Sequence, residues 1–120
     1  MEIKVGLTKT IETVVNEGNV AARFNETLPK VFSTPDMIAE MEAACYLCLN
    51  EVLESGKASV GVHVNVSHDL AVPIGQKVKT TATIAEIDRR KIVFKVESIA
   101  EDGKSVGQGT HTRFVVDKTW

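Results

Sequence analysis

The stretch TPDMIAEMEAACYLCLNEVLESG, residues 34–56, decides the fold. Thr34 ahead of Pro35 and Asp36 has the form of a helix start: a capping hydroxyl, a proline in the first position and an acid in the first turn. Apolar side chains then recur at Met37, Ile38, Met41, Ala44, Cys45, Cys48, Leu49, Val52 and Leu53, the 3.6-residue period of a helix with one buried face. Gly56 is placed to end it as a left-handed cap. The pattern predicts one amphipathic helix of about 20 residues.

Everything around that helix reads as strand. Downstream, Val60, Val62, Val64 and Val66 alternate with Gly61, His63, Asn65 and Ser67, the period of a sheet with one buried face. Pro73 and Gly75 break the run. Lys77 to Ile87, Lys91 to Ala100 and Ser105 to Val116 follow, separated by polar turns at Asp88-Arg89-Arg90 and Asp102-Gly103. Upstream, Ile3 to Val15 is rich in β-branched residues and reads as a first strand. Residues 20–32 read as a loop with a short helical turn, broken by Asn25 and Pro29. The predicted order is strand, loop, helix, then four strands in an antiparallel meander, an α+β layout in a single domain spanning residues 1–120. One helix laid across such a sheet buries both apolar faces in one layer. The layout suits a hotdog fold, a curled antiparallel sheet of about five strands wrapped around one long central helix.

Composition narrows the function classes. A formal charge of −2, with no basic tail, gives no electrostatic reason to expect nucleic acid or an anionic membrane as partner. The opening residues, MEIKVGLTKT, lack the charged start and long apolar run of a secretory signal, and no run of about 18 apolar residues could span a bilayer. These features point to a cytoplasmic protein. Cys45 and Cys48 form a CxxC, but a structural zinc site needs a second pair, and a redox pair sits where a strand turns into a helix. Inside a helical pattern the two thiols read as core, so no metal or cofactor is expected.

The informative residues are polar ones on apolar faces. On a helical wheel Glu42 falls between Ile38, Cys45, Leu49 and Leu53, whereas Glu40, Glu51 and Glu54 take the solvent arc. Burying a carboxylate costs several kcal/mol, on the order of the loss of a core side chain, unless it is paired. The unremarkable alternative is a glutamate at the stripe's edge, reaching water or tied to the sheet. His68 continues the parity of Val60 to Val66 and so faces the helix; its alternative is a core histidine bonded to a backbone carbonyl. Thr34 is explained structurally as the cap. A helix start nevertheless favours negative charge, which suits an oxyanion.

Four stretches together resemble hotdog thioesterases of the fluoroacetyl-CoA thioesterase type: Val31-Phe32-Ser33-Thr34, Met41-Glu42-Ala43-Ala44-Cys45, Val66-Ser67-His68 and Gly109-Thr110-His111-Thr112-Arg113. The resemblance covers about Ile3 to Val116. It implies a catalytic group of a threonine before the helix, a glutamate eight residues on and a histidine closing the next strand; Thr34, Glu42 and His68 match in type and spacing. It implies hydrolysis of an acyl-CoA thioester to acid and CoA, in a homodimer or tetramer whose acyl site lies between subunits. His111 and Arg113, in the family-like stretch, and Phe32 are expected as neighbours of the site, and Arg89, Arg90 and Lys91 are candidate cations for the CoA phosphates, with a solvated turn as their alternative. The family's fluoroacetyl-specific enzyme has an aromatic-rich lid before the helix. Here Phe24, Leu28 and Phe32 are the only large apolar side chains of that segment, so the match does not imply a fluorinated substrate.

The chemistry requires a nucleophile, a proton carrier and an oxyanion donor. His68 is the natural carrier, since imidazole titrates at about pH 6.5. Thr34, Glu42 and water all remain possible nucleophiles at this level. Two other classes share the fold: a non-catalytic ligand-binding module, which would tolerate loss of Glu42, and a hydratase or dehydratase, which would have no use for Thr34.

Overall fold

The computed structural model describes residues 2–120. Five strands, β1 (Thr8–Val14), β2 (Lys57–His68), β3 (Lys77–Asp88), β4 (Lys91–Ala100) and β5 (Ser105–Asp117), form one antiparallel sheet, and one α-helix, α1 (Thr34–Asn50), precedes β2. A 3-10 turn at Ala21–Arg23 lies in the loop before the helix. The helix packs against all five strands, so the sheet curls around it as the α+β reading requires.

Met37, Met41, Ala44, Cys45, Cys48 and Leu49 form the buried stripe of α1. They meet Val78, Ala82 and Ile84 of β3 and Ile92, Phe94 and Val96 of β4, all nearly inaccessible to water. Removing a large side chain from such a core, as in Phe94→Ala, costs about 3–5 kcal/mol. The one polar pair on these inner faces, Thr80 and Ser98, is satisfied by a 2.7 Å hydroxyl–hydroxyl bond. Both cysteines are buried and unpaired, and burial is the first cause pushing each thiol's pKa up, which makes them inert core residues.

Several boundaries and one connection differ from the sequence reading. The helix is capped by Ser33, not Thr34: Ser33 is extended (φ −77°, ψ 150°) and its Oγ accepts the N–H of Asp36 at 3.0 Å. Asp36 is held in turn by Arg23 at 2.8 Å. Thr34 is thus the first residue of the helix, exposed and free of the capping duty. The helix stops at Asn50 with Glu51 still right-handed, so Gly56 (φ +85°) serves the turn into β2 rather than the helix end. The first strand starts at Thr8 because Gly6 takes a left-handed φ of +93°, although Ile3 and Leu7 still reach the core.

The four downstream strands do not run as a simple meander. The sheet order is β1-β3-β4-β5-β2, so β2 pairs with β5 at one edge and the chain then crosses to β3 near the other. Residues 69–76 make that crossing, tied down by Phe32 N–H to the Val72 carbonyl (2.8 Å) and Gly75 N–H to the Val15 carbonyl (2.8 Å).

A bulge changes which face β2 presents. Gly61 pairs with Arg113 and His63 with Thr112, leaving Val62 as the extra residue. Ser59 and Gly61 therefore share the inner face before the bulge, and Val64, Val66 and His68 share it after. Val60, expected inside, lies on the outer face, and Val60, Val62 and Val64 are all exposed in the single chain.

Candidate active site

The site is built where two elements end together. The start of α1 and the end of β2 bring Thr34 Oγ1 to 2.7 Å from His68 Nδ1. His68 reaches the helix because β2 beyond the bulge turns its even-numbered residues inward, and it pairs there with Gly107 of β5. The buried Phe32 ring stands edge-on to the imidazole, 6.5 Å between centroids. His68 Nε2 is buried with no hydrogen-bond partner among the described residues. The threonine–imidazole pair is thus made by one contact at a known ring nitrogen, from a threonine that is itself exposed.

Glu42 lies elsewhere. Its carboxylate, in a side chain 39% exposed, is 3.6 Å from Arg113 Nη1, and Arg113 is almost fully buried. Eight residues of helix separate Glu42 from Thr34, about 12 Å of axial rise. The neighbour of Glu42 on β2 is Gly61, where an added Cβ would stand 3.1 Å from Glu42 Oε2, 3.1 Å from Arg113 Nη1 and 3.0 Å from His111 Cε1. Gly61 and His68 lie roughly 20 Å apart along the strand. Within one chain, then, Thr34 and His68 meet, and Glu42 belongs to a second group.

That group is a hydrogen-bonded guanidinium. Arg113 Nε donates to Ser59 Oγ (2.8 Å), Nη2 to the Ser59 carbonyl (3.0 Å) and Nη1 toward His111 Nε2 (3.0 Å). His111 Nδ1 is 2.8 Å from the His63 carbonyl. A carbonyl only accepts, so Nδ1 carries the hydrogen and Nε2 offers a lone pair to Arg113. Burial, and then the Arg113 charge, hold the His111 pKa below the usual imidazole range, against the raising effect of its bond to His63. The guanidinium also lies over the Tyr46 ring, 5.4 Å from its centroid.

The remaining residues singled out from sequence fall as follows. Phe32 adjoins His68. His111 and Arg113 adjoin Glu42. Arg89 and Arg90 occupy the β3–β4 turn at the other end of the helix, beside an open groove of about 450 Å³ shared with Val52, Leu53 and Lys57, and in one chain they do not approach Thr34 or His68. Arg90 is already engaged there by the Val115 carbonyl and Asp117. Sequence reading missed Ser33, Ser59 and the His63 carbonyl. His63 contributes through its backbone, which no side-chain pattern could announce. The signal for the bulge was present: a lone glycine, Gly61, inside a valine strand.

This architecture is that of the hotdog thioesterases. A Thermus thermophilus thioesterase superfamily member superposes with a TM-score of 0.90 at 27% identity, covering 98% of this chain and 86% of that one. A fluoroacetyl-CoA thioesterase structure superposes at 0.89 with 28% identity, over 98% and 90%. In sequence, the family described as fluoroacetyl-CoA-specific thioesterase matches residues 15–119, and the fluoroacetyl-CoA thioesterase of Streptantibioticus cattleyicolor is 35% identical over 90% of this chain and 74% of its own length. The chain belongs to the fluoroacetyl-CoA-specific thioesterase family, and it is a thioester hydrolase.

Proposed function

We propose that the protein hydrolyses acyl-CoA thioesters with Thr34, His68 and Glu42, the glutamate coming from the partner subunit of a homodimer. The observation that carries this reading is the 2.7 Å contact between Thr34 Oγ1 and His68 Nδ1. His68 takes the hydroxyl proton as the Thr34 oxygen attacks the thioester carbonyl. Collapse of the tetrahedral adduct breaks the C–S bond, and the CoA thiolate leaves with that proton. Glu42 then takes a proton from water as that water adds to the acyl-threonine ester, and gives the proton to the Thr34 oxygen as the ester C–O bond breaks and the acid departs. Pro35 has no N–H and that of Asp36 is used by Ser33, so the Thr34 N–H is the backbone donor at the helix start suited to the oxyanion.

The proposed dimer is supported by β2. It is an edge strand carrying exposed Val60, Val62 and Val64, beside exposed Tyr46 and Leu47 of the helix. Unpaired, such an edge invites a second strand. Antiparallel pairing of two β2 strands about a two-fold axis near Val64 and Asn65 would set Gly61, and Glu42 with it, opposite the partner's His68. The same pairing would carry the Arg89–Arg90 turn toward the other subunit, within reach of CoA phosphates. No described helix is long and apolar enough to cross a membrane. Acyl-CoA substrates and two unpaired cysteines suit the cytoplasm.

Thiol release from acetyl-, butyryl-, decanoyl- and phenylacetyl-CoA tests the activity and identifies the acyl group. Turnover of at least one, lost in Thr34→Val and His68→Ala, is expected. Turnover that survives both substitutions would refute the assignment.

A further inference from the structure

Arg113 makes three hydrogen bonds, yet its charge is spent on a carboxylate that it does not hydrogen-bond. Ser59 occupies two of its corners, His111 a third, and Glu42 stands 3.6 Å away, within ion-pair range but too far for a hydrogen bond. That pairing is the only salt bridge Glu42 makes among the described residues. Gly61 lets the three groups close up, since any side chain there would press on all of them.

We infer that His111, together with Ser59, is a positioning residue: it aims the Arg113 guanidinium so that the Glu42 carboxylate is held where the reaction needs it. This rests on the role given to Glu42 above. The imidazole suits the task because the His63 carbonyl fixes its tautomer, leaving Nε2 as a rigid, uncharged acceptor for one Arg113 N–H. A flexible or cationic neighbour would let the guanidinium turn, and Glu42 would lose its one fixed reference. The effect belongs in turnover rather than in substrate affinity, because both His111 ring nitrogens and the Ser59 oxygens are taken up inside the cluster and act through Arg113.

The test uses His111→Leu, which removes the acceptor, and His111→Gln, whose amide oxygen can replace Nε2, each made in the native and the Glu42→Gln chain. The substrate is whichever acyl-CoA of the panel is turned over fastest. His111→Leu is expected to lower kcat about tenfold with KM within about twofold, and His111→Gln to restore most of it. On the residual turnover of Glu42→Gln, His111→Leu should cost nothing more. A native kcat in His111→Leu, or an undiminished loss in the Glu42→Gln background, overturns the inference and leaves the Glu42 assignment standing. Full activity of Glu42→Gln itself would remove that assignment and the inference with it. If His111→Leu does not fold, Ser59→Ala, which deletes only the Nε acceptor, carries the same comparison with the same two criteria.

Discussion

The two polar groups that β2 carries past the helix are bonded to opposite degrees. At the helix start, exposed Thr34 shares one hydrogen bond with His68, and His68 Nε2 has no partner among the described residues. Beside the bulge, Arg113 bonds three acceptor atoms, two of Ser59 and one of His111, and His111 has both ring nitrogens engaged. Buried polar atoms are normally satisfied, so an unsatisfied one marks either strain or use. The contrast fits the proposed roles, with the sparse pair retaining capacity for a substrate and the saturated cluster serving as its support. Glu42 stands between the two kinds, tethered by charge yet without a hydrogen bond.

On that division, damage to the sparse pair costs turnover most, and damage to the support costs less turnover or costs stability instead. His68→Ala should have the largest effect, lowering kcat about 10³-fold, in the range for loss of a general acid–base, with the melting temperature little changed. Thr34→Val should lower kcat about 10²-fold and leave stability nearly intact, because Ser33 is the cap. Ser33→Ala is the converse: about 1 kcal/mol of stability, seen as a drop of a few degrees in melting temperature, with kcat within a few-fold of native. Equal stability losses in Thr34→Val and Ser33→Ala would dissolve the distinction between cap and reactant.

The smallest effect is a pH dependence. The folded chain holds the His111 pKa below its unfolded value, through burial first and then Arg113, with His63 and Glu42 raising it in part. The neutral imidazole therefore contributes stability that is complete above about pH 6.5 and lost as pH falls through the folded pKa. Thermal melts of native and His111→Gln chains from pH 7.5 to 5 should diverge, the native chain losing stability more steeply on the acid side. Parallel curves would show that His111 titrates as it does unfolded.

The helix was legible because its period runs unbroken from Met37 to Leu49 between a proline and a polar turn, and every residue of that stripe from Met37 to Leu49, except Ile38 at its edge, is buried. The strands were legible from alternation. Alternation reports which face a residue takes, not which strand lies beside it, so the crossing of β2 to the far edge was out of reach. One inserted residue then inverted the parity of half of β2, which put Val60 outside while leaving His68 inside. At Ser33-Thr34-Pro35 either hydroxyl can cap a helix that begins with proline in its first two positions, and only the backbone angles decide. The spacing of Thr34, Glu42 and His68 could be read through the family resemblance. That one chain joins only two of the three could not, because it depends on eight residues of helical rise and on where the bulge falls.

In the proposed dimer, a working site takes its hydroxyl–imidazole pair from one subunit and its carboxylate from the other. Glu42→Gln and His68→Ala chains, each nearly inactive alone, should be unfolded together, refolded as a mixture and assayed for thiol release. Mixed dimers contain one site with all native groups, so activity should return to about a quarter of the native level, as random pairing makes half the dimers mixed and each carries one of two sites. A mixture in which mixed dimers demonstrably form and activity stays at the level of the separate variants would contradict the claim.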